Sequence, residues 1–164
     1  MTITDKPQFN QGKAVEAWLD RFFAARGWLI RPTTPHEERV LCLGDRHFSK
    51  GGLTYLVEYK SGLQSFYTGN IFLETISVDS RNIPGWVHTC QANYIFYAAL
   101  LNQKILIFTP ARLRLQIEFL KDRFKEVPTG KNQNDGYDTF GVIVPLAYAE
   151  QHLAEKIIHI EERF

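Results

Sequence analysis

Cysteine is scarce in this chain, with Cys42 and Cys90 the only two among 164 residues. Two thiols cannot supply the dense bridging of a small secreted scaffold, and they stand in no Cys/His zinc spacing. They read as small buried hydrophobes in a reducing cytosol. Long apolar runs are missing too. The longest, Ile95 to Leu101, is far below the ~20 residues of a membrane span, and no signal-peptide pattern opens the chain. The expected location is therefore cytoplasmic, away from membranes. Nor is there an excess of one charge: 19 Lys and Arg against 18 Asp and Glu leave a net charge of +1. Any nucleic-acid affinity must then come from local basic patches. Internal repeats, low-complexity tracts, Gly-rich phosphate loops and nucleophile elbows are all lacking. What remains is a globular composition, 45% hydrophobic and 13% aromatic, expected to form one domain that buries about two-thirds of its unfolded surface.

Val15, Trp18, Leu19, Phe22 and Phe23 recur at helical spacing, which predicts a helix over 11–26 with Gly27 as its C-terminal cap. Strands are expected at 28–31, 39–45, 53–60 and 71–78, with a turn over 47–52 at Gly51-Gly52. Pro84-Gly85 precedes a predicted long helix, 86–101, followed by a strand at 104–108 and a helix over 111–125. A loop at 128–138 leads to a strand at 140–144 and a closing helix after Pro145, and 157–160 reads as helix or as a last edge strand. The fold class is mixed α/β.

Two short stretches carry chemistry. Gly44-Asp45 closes one predicted strand, and Glu58-Tyr59-Lys60 ends the next. Side chains alternate faces along a strand, so Glu58 and Lys60 project together and Tyr59 opposes them. Pairing the two strands brings the Asp45 carboxylate beside Glu58. Two carboxylates and an ammonium on one small surface suit a divalent cation, a phosphate and an attacking water, the components of metal-dependent phosphodiester hydrolysis. The plainer reading makes Asp45 a turn former and Glu58 and Lys60 solvated neighbours. Against it, Tyr55-Leu56-Val57 is apolar on both faces, and charges ending a covered strand are costly unless paired or metal-bound.

The order helix, three strands, helix, strand, together with this motif, resembles the PD-(D/E)XK nuclease superfamily, the restriction-endonuclease-like fold. The likeness covers roughly residues 10–110, leaving 111–164 as a C-terminal extension of the same domain. The family's helical Glu, strand-end Asp and Glu-x-Lys fall on Glu16, Asp45, Glu58 and Lys60, while the usual proline before the aspartate is Gly44. The resemblance implies a mixed β-sheet flanked by helices and a Mg²⁺-dependent DNA endonuclease of restriction, homing, phage or junction-resolving type. It implies that Asp45 and Glu58 hold Mg²⁺ (or Mn²⁺) with the Tyr59 carbonyl, that Lys60 orients the attacking water, and that Glu16 serves a second ion or a bound water. Glu16 also lies at the edge of its helix's apolar stripe, where a solvated carboxylate is unremarkable.

Second-tier candidates are Glu74, inside the apolar strand at 71–78, and Gln91, on the predicted helix after Trp86. His88 shares the face of Gln91 there and reads as a surface or capping residue. Tyr94, Phe96 and Tyr97 read as core before they read as a base-stacking platform. Arg112 and Arg114, with Lys121, Arg123 and Lys125, concentrate charge on the predicted helix whose other face is Leu113, Ile117, Leu120 and Phe124. Arg112 and Arg114, with Lys50 and Arg81 nearer the motif, are candidate contacts to DNA phosphates; the alternative is an ordinary solvated face. Duplex or branched DNA is the expected partner, and cutting two strands favours a C2 homodimer. Two other classes stay open: a catalytically inactive DNA-binding or assembly protein on the same fold, and an α/β interaction module without nucleic acid.

Overall fold

The computed structural model describes residues 7–129 and 136–161. Helix α1 (Pro7–Ala24) comes first, and Gly27, at φ +85, turns the chain after it. Strands β1 (Leu29–Pro32), β2 (Arg46–Lys50) and β3 (Leu53–Ser61) follow as an antiparallel meander. A short helix α2 (Pro35–Arg39) lies between β1 and β2. After β3 come the helical turn α3 (Ser65–Thr68), β4 (Asn70–Val78), β5 (Ile83–Pro84) and the short helix α4 (Trp86–Thr89). Strands β6 (Tyr94–Ala99) and β7 (Lys104–Phe108), helix α5 (Pro110–Arg123), β8 (Glu126–Pro128) and β9 (Phe140–Pro145) continue the chain. Helix α6 (Leu146–Tyr148) runs into a π turn, Ala149–Leu153, before β10 (Lys156–His159).

The architecture is mixed α/β. A six-stranded mixed sheet has the order β1-β2-β3-β6-β7-β10, and a four-stranded sheet has the order β5-β4-β9-β8. In the larger sheet, β6 runs parallel to β3, with Glu58 opposite Ile95 and Lys60 opposite Tyr97. One face of that sheet packs under α1, where Val15, Leu19, Phe22 and Phe23 meet Phe48, Val57, Tyr59 and Phe96. The other face, through Ile95, Tyr97, Leu106 and Phe108, packs on Ile71 and Leu73 of β4, Val142 of β9 and Leu113, Ile117 and Leu120 of α5. Each such side chain contributes about 1.5–3 kcal/mol on full burial, which fixes both layers around the strand ends. Residues after 110 are woven into this body rather than appended to it, since β9 pairs with β4 and β10 with β7.

Several elements depart from the sequence expectation. The strand predicted at 39–45 is absent. Thr34 and Glu37 form a capping box that starts α2, and residues 40–45 run irregularly, with Cys42 at φ 54 and Gly44 at φ 91. The strand instead occupies most of the predicted turn, because register with β3 puts Phe48 in the core. The long helix expected over 86–101 is only α4, after which the chain straightens into β6. A run buried on both faces carries no period that separates helix from strand, and Tyr94-Ile95-Phe96-Tyr97 has the aromatic and β-branched character of a strand. The strand at 71–78 forms as β4, but in the second sheet. The ambiguous C-terminal stretch is an edge strand, β10. Of the loop predicted at 128–138, residues 130–135 lie outside the described residues.

Candidate active site

β2 and β3 position the motif. Arg46 pairs with Val57, so Asp45, one residue earlier, falls beside Glu58. The Asp45 N–H donates to the Val57 carbonyl at 2.8 Å, and the Tyr59 N–H donates to Asp45 Oδ2 at 2.6 Å. The residue before the aspartate must be glycine for this approach. At φ +91 it lies where proline cannot go, and a Cβ there would meet the Val57 carbonyl oxygen at 2.7 Å. A proline at position 44 could not bring the chain to Glu58 by this backbone route.

Glu58 and Lys60 share a face, as alternation requires, and Lys60 Nζ lies 2.5 Å from Glu58 Oε1. The Lys60 ammonium also sits 5.6 Å from the centre of the Trp86 ring. A cleft of about 190 Å³ opens beside this group, with Asp45, Glu58, Arg39, Cys42, Trp86 and Cys90 among its walls and Lys60 behind them. A larger hollow of about 410 Å³ lies against the α1 side of the sheet, lined by Trp28, Phe48, Tyr55, Tyr94 and Phe96. It is mostly apolar and contains none of the motif residues, whereas the smaller cleft contains Asp45 and Glu58.

Burial, with like charge second, dominates the electrostatics of Asp45. Burial pushes the Asp45 carboxyl up to about 7, and the Glu58 charge adds to the shift, while the Tyr59 N–H and Lys60 oppose it. Burial also works against the Lys60 ammonium, but Glu58, by charge and hydrogen bond, together with Asp45 and Glu74, holds it above the ordinary lysine range. Glu74, on β4, is likewise raised by burial, against the pull of Lys60 and the Trp86 N–H. Converging carboxylates with one shared cation are the donor chemistry of a hard divalent ion, whose charge reverses such shifts. Among the described residues no three His, Cys, Asp or Glu side chains gather into a metal cage. Two carboxylates suffice for Mg²⁺, which is often held by one or two of them and retains water.

The remaining candidates scatter. Glu16 lies on the α1 side, its Oε2 3.1 Å from Arg46 Nη2, and raises the Asp45 carboxyl only as a minor charge. Asp20, one turn further along α1, escaped the sequence reading. It accepts from Arg46 Nε at 3.1 Å and from the Tyr59 hydroxyl at 3.0 Å. Arg46 also donates to the Asp45 carbonyl at 3.0 Å, so the network braces the loop that carries Asp45. Gln91 is not on a helix but past the end of α4, exposed, with its side chain turned to the Thr89 carbonyl at 3.3 Å. His88 does lie on α4, half-buried, and Tyr94, Phe96 and Tyr97 sit on β6.

The expected DNA contacts are likewise divided. Lys50 ends β2 five residues from Asp45, roughly 16 Å along the strand, and donates to the Arg26 carbonyl at 2.7 Å. It is far from the motif rather than near it. Arg81 is exposed in a turn beyond β4. Arg112 is held by Glu155 at 3.1 Å and by the His152 carbonyl at 2.9 Å. Arg114 donates to the Cys90 carbonyl at 2.8 Å, tying α5 to the cleft wall. Arg39, which no motif singled out, is the exposed cation on the cleft rim. No helix among the described residues is long and apolar enough to cross a membrane. No protein-family model, curated protein or solved structure matches this chain.

Proposed function

We propose that the protein is a Mg²⁺-dependent deoxyribonuclease, a phosphodiester hydrolase built in the manner of the PD-(D/E)XK, restriction-endonuclease-like enzymes. The observation that carries the reading is the placement of Asp45 beside Glu58 with Lys60 on the same face. The meander β1-β2-β3, followed by β6 parallel to β3, supports it as well.

Asp45 and Glu58 are the side chains that would hold the metal, with Mn²⁺ able to replace Mg²⁺. Bound there, the ion would polarise water and stabilise charge on the phosphate and the leaving 3′ oxygen. Lys60, protonated in this setting, orients the attacking water and offsets phosphate charge. The Tyr59 N–H fixes one Asp45 oxygen and leaves the other for the ion. Glu74 helps keep Lys60 charged, a supporting role rather than that of a metal ligand. Arg39 at the rim supplies a contact for the DNA backbone, and a C2 homodimer would deliver two cuts to duplex or branched DNA.

A second reading is a catalytically inactive DNA-binding or assembly protein. The 2.5 Å pair between Lys60 and Glu58 favours it, because a salt bridge could be the whole purpose of both charges. Cleavage assays on linear duplex, branched and single-stranded DNA, with Mg²⁺ and with EDTA, separate the two. The proposal expects Mg²⁺-dependent cutting of at least one substrate. Binding without cutting supports the second reading.

A further inference from the structure

Cys42 and Cys90, far apart in sequence, both line the cleft that contains Asp45 and Glu58. Cys42 belongs to the irregular segment before β2, and Cys90 caps α4 on the facing wall. The walls are joined by the Gln91 N–H, which donates to the Cys42 carbonyl at 2.8 Å. Through that bond the two α-carbons are at most about 8 Å apart by backbone dimensions. Disulfides span about 4.4–6.8 Å, so the backbone holds the pair in or near bridging range. Cys42 holds φ 54, uncommon for a residue with a Cβ, in an irregular segment outside the strand ladder, held by the Leu43 N–H to the Glu37 carbonyl at 2.9 Å and the Asp45 N–H to the Val57 carbonyl at 2.8 Å. Cys42 is half-buried and Cys90 buried, and both are free thiols.

We propose that Cys42 and Cys90 are an oxidation-sensitive thiol pair whose disulfide closes the candidate active-site cleft. The functional consequence rests on the nuclease reading; the thiol chemistry does not. A peroxide is the oxidant. The more accessible Cys42 sulfur attacks one peroxide oxygen, the O–O bond breaks, and a sulfenic acid and water result. The Cys90 sulfur then attacks the Cys42 sulfur, the S–O bond breaks, and the second water leaves with the Cys90 proton. Two thiols and one hydrogen peroxide thus become one disulfide and two waters. The new bond crosses a cleft of only about 190 Å³ and locks the Asp45 segment to α4, taking the space a hydrated ion and a phosphate need.

The test treats the reduced full-length chain with hydrogen peroxide under native conditions, followed by thiol counting and non-reducing peptide mapping. A Mg²⁺ thermal-shift titration is run before and after. The expected result is joint loss of both thiols, one intramolecular peptide linking Cys42 to Cys90, reversal by dithiothreitol, and loss of the Mg²⁺ shift on oxidation. Cys42→Ser and Cys90→Ala should each form no link and keep the Mg²⁺ shift after peroxide. Thiols that stay free, a link only between separate chains, or a link that leaves the Mg²⁺ shift intact overturns the proposal. If the link forms but the reduced protein never responds to Mg²⁺, the thiol pair stands and the nuclease reading fails.

Discussion

Asp45, immediately before β2, lies beside Glu58 within β3, and the Tyr59 N–H between Glu58 and Lys60 donates to Asp45 Oδ2 at 2.6 Å. One aspartate oxygen is thus spent on strand β3 itself, which sets the position of the other relative to Glu58.

Removing charge from the pair should abolish cleavage and stabilise the metal-free fold. In Asp45→Asn the amide oxygen can still accept from Tyr59, while the repulsion with Glu58 disappears. A gain of about 1 kcal/mol corresponds to about 2–4 °C in a chain of this size. Calorimetry without divalent ions checks it. A lower melting temperature for Asp45→Asn would mean that the carboxylate is structurally needed rather than strained.

The pH dependence has a defined sign. Asp45 titrates at about 7 in the fold against an ordinary value of 3.8, so the fold favours its protonated form. The contribution is fully present below 3.8, is lost as pH rises towards about 7, and is flat above that. The stability advantage of Asp45→Asn over the wild type should therefore grow across this window and shrink when Mg²⁺ is added. Melting temperatures of both proteins across the window measure it, and a gap independent of pH would contradict the assignment.

How much of this could be read in advance divides along physical lines. Glu58 and Lys60 were legible because strand alternation fixes their common face, whereas Asp45 meets Glu58 from the irregular segment before β2 and not from the end of the strand expected at 39–45. β6 was not, because Tyr94 to Ala99 is buried on both faces and shows no period. The strand β2 was displaced by a capping box, Thr34 with Glu37, that converts the preceding stretch into helix. Asp20 and Arg46 were invisible for another reason. Their importance is a contact between α1 and the sheet, and no local pattern announces a tertiary ion pair.

The Arg46 network should support both the fold and the site. Arg46 pairs with Glu16 and Asp20 and holds the Asp45 carbonyl. Arg46→Met leaves those acids without their partner and should cost about 1–2 kcal/mol, since hydrogen bonds to charged groups contribute on that scale and these are partly solvated. Metal affinity should fall as well, because the Asp45 segment loses a brace. Denaturant unfolding and Mg²⁺ titration of this variant check the two effects. Unchanged stability with unchanged affinity would reduce the network to surface decoration.

DNA engagement should depend on the cleft rim more than on α5. Arg39→Glu should weaken binding to all sequences alike and reduce the salt slope by about one ion-release unit or more. Arg112→Glu should chiefly cost stability, since it opposes Glu155 directly. Fluorescence anisotropy with DNA over a salt series distinguishes these. A larger loss of affinity from Arg112→Glu at equal fold stability would move the DNA-binding face to α5.

The most direct test of the central claim compares wild type, Asp45→Asn and Lys60→Ala on linear, branched and single-stranded DNA with Mg²⁺, with Ca²⁺ and with EDTA. The account predicts cleavage by the wild type in Mg²⁺ alone and none by either variant. It also predicts that Lys60→Ala still shows a Mg²⁺-induced thermal shift, while Asp45→Asn does not. Cleavage that persists in EDTA, or wild-type turnover in both variants, would contradict it.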